Sequence, residues 1–261
     1  MISDCSQAIY GSMSTDVHSK CQLMHSEFVD HLWSLGNNTV LPSAASRWDR
    51  HCREVADLRR MIDEFAKEYL HNDLRGIREQ LLRKLDGLSE YDVRRPLTAT
   101  GTNLLGLIKH LSLSESRYFG EIFDRPFPEP LPRWDDLAAR GFDMWATQDE
   151  SREEIVRRYR RVWEHSDATI EALAIDSAGY VPWWPRPNVK LFNIMVHVVS
   201  ETNRHAGHAD ILREQLDGST GAHAQLADSQ SEAEFWEARC AVIEEAARGA
   251  AGVHDGAESG L

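Results

Sequence analysis

The chain has 261 residues, 42% hydrophobic and 27% charged, with a formal net charge of -13; it is long enough to bury a sizeable core and ordinary in balance for a globular protein. So acidic a chain is not a general nucleic-acid binder, because displacing phosphate counterions takes a basic surface. No apolar run approaches the roughly 20 residues that span a bilayer, and the N-terminus lacks the basic-then-apolar pattern of a signal peptide, so the expected location is cytoplasmic, with no membrane partner.

The four cysteines (Cys5, Cys21, Cys52, Cys240) are scattered without a CxxC pair, which suggests neither a disulfide framework nor a thiolate metal site. Three of them fall in the first 52 residues, so a catalytic cysteine is not expected.

In chain order, residues 1 to about 16 are small and polar and read as a frayed end. From Val17 to Leu35, Leu23, Phe28, His31 and Leu32 suggest a short helix closed by Gly36-Asn37-Asn38. Pro42 opens a second helix from about Ser43 to Phe65, with a narrow apolar face of Trp48, Cys52, Val55, Leu58 and Ile62. Near Glu64 the main body begins: Leu70, Leu74, Ile77, Leu81, Leu85 and Leu88 repeat at threes and fours, predicting a long amphipathic helix that ends near Gly87. A second body helix carries Leu104, Leu107, Ile108, Leu111, Tyr118 and Ile122 inward, with His110 at the edge of that stripe. The proline-rich stretch 124–134 reads as a loop.

The third body helix runs from about Ser151 to Leu173, with Ser151 and Glu154 as a capping box. Its basic run, Arg157, Arg158, Arg160 and Arg161, is matched by Glu153, Glu154 and Glu164 four residues away, which reads as a solvated face and not as a phosphate site. Residues 179–188, GYVPWWPRPN, read as a rigid aromatic loop, and a fourth body helix over 189–217 is closed by Gly218. A linker and a last helix follow, ending in a Gly/Ala-rich tail. Without sustained strand alternation or a repeat of solenoid period, four long amphipathic segments predict an all-α fold. It is a four-helix bundle over 64–220, with extra N-terminal helices over 1–63 and a linker, one C-terminal helix and a tail over 221–261.

The fourth helix carries the chemistry. Ile194, His197, Glu201, His205, His208 and Leu212 recur at threes and fours and predict a single inward stripe. Such a stripe should be apolar, yet its middle holds three imidazoles and a carboxylate, whose burial needs partners. Glu201 and His205, one turn apart, can reach one ion. A catalytic zinc-type site needs about three protein ligands and an open position, and His110, mid-helix with no acid beside it in sequence, is the candidate third. A lone histidine on an apolar face is more often a hydrogen-bonded core residue; three candidate ligands on two helices favour a metal. His197 is a candidate proton carrier, or a buried histidine bonded to a carbonyl. Asp210 is expected to pair with Arg213 or Arg204, and Gly207 to permit close helix approach. Trp183 and Trp184 are candidate pocket walls, or core.

NLLGLIKHL, around His110, and ETNRHAGHADILREQLDG, around Glu201 and His205, resemble the DinB-like superfamily of four-helix metal proteins, specifically its mycothiol-dependent branch. The resemblance covers roughly 64–220, and Arg-His-Ala-Gly-His-Ala-Asp is its most specific part; residues 1 to about 60 have no counterpart, and KLFNIM departs from the arginine-and-tryptophan pattern usual there, so substrate contacts are expected to differ. It implies a divalent metal on His110, Glu201 and His205, with zinc the best fit and nickel, manganese or iron tolerated. It further implies mycothiol as co-substrate, with Trp183, Trp184 and Arg204 as contacts, His197 handling the proton, and a small-molecule electrophile as acceptor. The expected activity is a metal-dependent S-transferase, acting as monomer or homodimer, in which a metal-held thiolate is the nucleophile. The alternatives are a hydrolase, or a thiol-independent isomerase or cyclase, on the same ligands, and a non-catalytic metal-binding protein.

Overall fold

The computed structural model describes residues 41–132, 141–219 and 230–251. The helix expected over 17–35, the frayed end before it, most of the linker after Gly218 and the C-terminal tail lie outside the described residues. The chain divides into two units, Met1–Tyr69 and Leu70–Leu261.

Among the described residues the fold is all-α, with helices α1 (Leu41–Arg83), α2 (Glu90–Arg94), α3 (Leu104–Phe119), α4 (Arg152–Ala172), α5 (Leu191–Asp217) and α6 (Gln230–Ala250). Two 3-10 turns, Glu121–Phe123 and Phe142–Met144, punctuate the connections. The helix expected over about 43–65 and the body helix expected to follow it are one, and α1 runs unbroken past Glu64. The reason is local: no proline or glycine lies between Pro42 and Gly76, so nothing interrupts the backbone ladder where the apolar pattern changes phase. Leu58, Ile62, Phe65 and Tyr69 stay exposed along one side of that helix.

In the second unit, the C-terminal part of α1 packs with α3, α4 and α5 as a four-helix bundle. Leu74, Ile77, Leu81 and Leu85 meet Leu107, Ile108 and Leu111 of α3, Ile155 and Tyr159 of α4, and Ile194, Met195 and Val198 of α5 in one buried cluster. Each such side chain, fully buried, contributes about 1.5–3 kcal/mol. α1 ends at Arg83, and the turn behind it passes through Gly87 at φ +74°. α4 starts where expected, the Ser151 hydroxyl accepting from the Glu154 amide at 3.1 Å; α5 closes on Gly218 at φ 76°. A buried ion cluster fixes the helices against one another. The Arg78 guanidinium, 1% exposed, donates to both carboxylate oxygens of Glu115 on α3 and, at 2.7 Å, to Asp167 on α4.

The loop over 179–188 is more ordered than its prolines suggest. Its ends pair as a two-stranded antiparallel hairpin, β1 (Ala178–Tyr180) with β2 (Asn188–Lys190), in the register Gly179 opposite Val189. β2 feeds straight into α5, so the hairpin holds Trp183 and Trp184 at the start of that helix. The short α2 was likewise not legible in the sequence. No helix among the described residues is long and apolar enough to cross a membrane.

Candidate metal centre

Helix α5 buries Leu191, Met195, Val198, Thr202, His205, Ala209 and Leu212, spaced alternately by four and three residues. Ile194 and Val199 widen the stripe. The inward line expected from the sequence is therefore rotated. Ile194, His205 and Leu212 lie inside, whereas Glu201 and His197 sit half-buried on the shoulder and His208 is exposed. A shoulder is where a buried ligand set can keep a side open to solvent.

α3 brings His110 to the same shoulder. Its Nε2 lies 3.7 Å from Glu201 Oε1, and His205 Nε2 lies 3.0 Å from that same oxygen. The three ligand atoms fall within 4.8 Å of one another, and the two imidazole rings are 4.9 Å apart at 66°. Tetrahedral zinc with bonds near 2.0–2.2 Å separates its donors by about 3.3–3.6 Å, so these side chains need shift only slightly to share an ion. Two nitrogens and one oxygen suit a divalent cation and leave a fourth position open.

The outer faces of the ligands are also engaged. His110 Nδ1 sits 2.6 Å from Asp143 Oδ2, and that hydrogen bond, working against burial, holds the Asp143 carboxyl below its ordinary range. Nδ1–H then donates to the carboxylate and Nε2 is the lone-pair nitrogen, the tautomer a metal ligand requires. His205 Nδ1 faces His208 Nδ1 at 3.4 Å. Burial, with the neighbouring His110, pushes the His205 imidazole down, which favours its neutral form. Burial works against the charge of Glu201, yet His205, Arg204 and His110 hold its carboxyl below the usual range. Arg204 donates to Glu201 Oε2 at 2.5 Å, so one carboxylate oxygen is anchored and the other faces the imidazoles.

Asp143 lies on a segment whose sequence gave no sign of it, and four side chains or backbone positions of α3 bring it there. Asn103 caps α3 by accepting from the Gly106 amide at 2.8 Å and also donates to the Met144 carbonyl at 3.3 Å. Gly106 allows that approach, since a Cβ there would overlap the Met144 carbonyl oxygen. Lys109, 1% exposed, donates to Glu150 at 2.8 Å and to the Trp145 carbonyl at 3.0 Å, and lies over the Phe142 ring. His110 itself is the fourth tether.

One turn N-terminal of Glu201, His197 packs edge-on against Tyr118 at 4.6 Å and against Trp184 at 4.8 Å between ring centroids. Trp184 Nε1 donates to the Tyr118 hydroxyl at 3.3 Å. Trp183 reaches Tyr118 from another side at 6.0 Å and lies under the Arg117 guanidinium. Burial and Arg204 depress the His197 imidazole while Glu201 pulls the other way, and the net direction is down.

The profile of the mycothiol-S-transferase family matches residues 69–218. The chain belongs to that family. The matched region contains every residue of the centre described above. No curated protein matches the chain.

As a mycothiol S-transferase family member the chain departs from the sequence reading at several flanking positions. Asp210 pairs with Lys84 at 2.5 Å instead of with Arg213 or Arg204. Arg213 binds Asp217 and the carbonyls of Lys84 and Asp86. Gly207 faces open space, so it mediates no close helix contact. On α4, Arg157 pairs with Glu154, and Arg161 reaches both Glu154 and Glu129 of the proline-rich loop. Of the two described cysteines, Cys52 is buried and Cys240 is exposed.

Proposed function

We propose that this chain is a metal-dependent mycothiol S-transferase that holds a divalent cation on His110, Glu201 and His205 and joins the thiol to a small-molecule electrophile. One observation carries the reading: two imidazole nitrogens and a carboxylate oxygen from separate helices converge within 4.8 Å inside the family-matched region. The carboxylate behind His110 supports it, since metal-bound histidines are oriented by such partners. Zinc fits the donor set best; nickel, manganese and iron accept it too. When bound, the cation supplies a Lewis acid that lowers the pKa of a thiol sulfur in its open position.

The chain's own side chains then divide the work. His110 and His205 turn their Nε2 atoms toward Glu201, and Glu201 is steered by Arg204. His197 is held neutral at pH 7 by burial, lies one turn from Glu201, and accepts the thiol proton. The sulfur lone pair forms the new carbon–sulfur bond. The electron pair of the bond that breaks leaves with the displaced group, or stays on the opened oxygen, which takes the proton back from His197. Trp184 and Tyr118 exclude water from one flank of His197, and Trp183 extends that wall as a contact for the thiol.

The test is turnover of 1-chloro-2,4-dinitrobenzene by purified protein with and without mycothiol, alongside elemental analysis. The reading expects a stoichiometric metal and a thioether product formed only with the thiol. Full turnover of a substrate without added thiol would indicate activated-water or isomerase chemistry on the same ligands, and a stable, metal-free, inactive protein would leave a binding module.

A further inference from the structure

The part of α1 that precedes the bundle in sequence is built like one half of an interface. Val55, Leu58, Met61, Ile62, Phe65 and Tyr69 are each 39–68% exposed, and all but Tyr69 precede the residues the family profile matches. Val55, Ile62 and Tyr69 recur every seven residues with Leu58 and Phe65 between them, the a and d pattern of a coiled-coil seam. Another side of the same stretch is withdrawn from solvent: Cys52 is buried, and Ala56, Asp63, Ala66 and Lys67 are half-buried. That side lies roughly a third of a turn around the helix from the apolar line. Farther along α1 the line passes through Asn72, Gly76 and Glu79, which are exposed too, whereas Leu74, Ile77 and Leu81 are the positions the bundle buries. A Cβ on Gly76 would meet nothing within 4 Å, so the line stays open beyond the stripe.

Size, charge and residue type together select the occupant. Fully covered, the six side chains would withdraw on the order of 600 Å² of apolar surface per chain, near the roughly 800 Å² per partner of a standard interface. Over 50–69 five Arg and Lys equal five Asp and Glu, in a chain of net charge -13, so two copies of this stretch meet without net repulsion. A bilayer is a poorer match, because helices that lie on membranes carry mainly basic flanks. The β-branched Val55 and Ile62 at a, with Leu58 at d, favour two parallel strands. In that alignment Glu54 at g faces Arg59 at e of the second copy, and Met61 faces Ala66, so the flanks agree in charge and in polarity. The antiparallel alignment that sets Leu58 against Ile62 opposes Glu54 to Glu68 and Arg59 to Arg59. A seam this short would be marginal between free peptides, but α1 continues unbroken into the bundle, so its helix is formed before the copies meet.

We infer that this face of α1 pairs with the same face of a second copy in a short parallel two-stranded coil, which makes the chain a homodimer. Of the two states the sequence left open, monomer and homodimer, the seam selects the second. It uses no metal, thiol or electrophile, so it stands or falls apart from the transferase reading.

The experiment is sedimentation velocity on the full chain at micromolar concentration without added metal or thiol, where the mass is expected to be about twice the 29.7 kDa of one chain. Ile62→Glu and Phe65→Glu should each raise the dimer Kd at least about 100-fold, because the interface would then hold two facing carboxylates. Both side chains are exposed in the single chain, so circular dichroism should show unchanged helix content. Glu54→Arg should weaken the dimer about two- to tenfold by setting it against Arg59, and adding Arg59→Glu should restore it. A wild-type monomer, or a dimer that both Ile62→Glu and Phe65→Glu leave intact, overturns the inference. A dimer lost instead on Trp236→Glu, at a side chain 47% exposed on α6, overturns it as well by moving the interface there. Failure of the Glu54→Arg, Arg59→Glu pair to recover overturns the parallel alignment.

Discussion

Replacing Asp143 by Asn tests the metal centre without touching a proposed ligand. The substitution preserves shape but exchanges an ionised acceptor for a neutral amide at a contact of 2.6 Å to His110 Nδ1. Charge-assisted bonds of this length are roughly twice as strong as neutral ones, and both partners are largely withdrawn from water, with side chains 19% and 9% exposed. Loss of such a carboxylate typically lowers metal affinity about 10–100-fold, or about 1.4–2.7 kcal/mol at 1.36 kcal/mol per decade. Competition for zinc against a chromophoric chelator at fixed pH measures it directly, with circular dichroism reporting helix content. The zinc Kd should rise by that factor while helicity is kept. In a His110→Ala background, where the residual zinc binding is far weaker and is read at higher zinc, the same change should add almost nothing, because the carboxylate acts only through that ring. An unchanged Kd, or a full effect persisting without His110, would refute the orientation argument.

Four other outcomes follow from the same geometry. His110→Ala and His205→Ala should each abolish stoichiometric metal and thiol transfer while elemental analysis and circular dichroism show a folded, metal-free protein. The His197 imidazole is depressed chiefly by burial, so its neutral form persists below about pH 6.5 and the transfer rate should fall only as pH drops through the lower folded value. His197→Gln should remove that acid limb and cost about 10²–10⁴ in rate. Gly106→Ala places a methyl against the Met144 carbonyl; displacing the turn should lower Tm and weaken zinc binding together, through Asp143. Arg78→Met strands the buried Glu115 carboxylate and should destabilise urea unfolding by about 3–5 kcal/mol, with zinc affinity of the folded protein unmoved.

The bundle was legible because its helices carry local punctuation. Ser151, Gly218 and the leucine repeats of α1 and α3 announce ends and faces without knowledge of the tertiary fold. The break expected near Glu64 failed for the opposite reason: a change in apolar phase is no helix stop when every residue there tolerates the helix. His110, Glu201 and His205 could be named as a candidate set because i,i+4 spacing and an unexplained mid-helix histidine are both local signals, and the structure brings their ligand atoms within 4.8 Å of one another. Asp143 was not, since a carboxylate in the aperiodic stretch Phe142-Asp143-Met144-Trp145 becomes meaningful only once Asn103, Gly106 and Lys109 have pinned that stretch to α3. The rotation of the α5 stripe was hidden as well. Polar residues at 197, 201 and 208 and apolar ones at 191, 195 and 198 define two overlapping lines, and only packing against α3 chooses between them.

That choice has an electrostatic consequence for the proposed reaction. Near the centre stand Glu201, Asp143 and Arg204, two carboxylates and one guanidinium, with His205 pushed toward neutrality and His197 likewise. The set carries about one net negative charge, which a divalent cation would turn into one net positive charge, and an anionic sulfur would bring the whole to neutrality once the proton taken up by His197 had left. An isolated buried charge is strongly disfavoured in such surroundings. The arrangement thus favours the ionised thiol over the neutral one without requiring a strongly basic group on the protein. With Asp143 neutral the loaded centre would keep a net positive charge after the thiolate formed, and release of a neutral thioether would leave two positive charges unbalanced on the shoulder of the bundle.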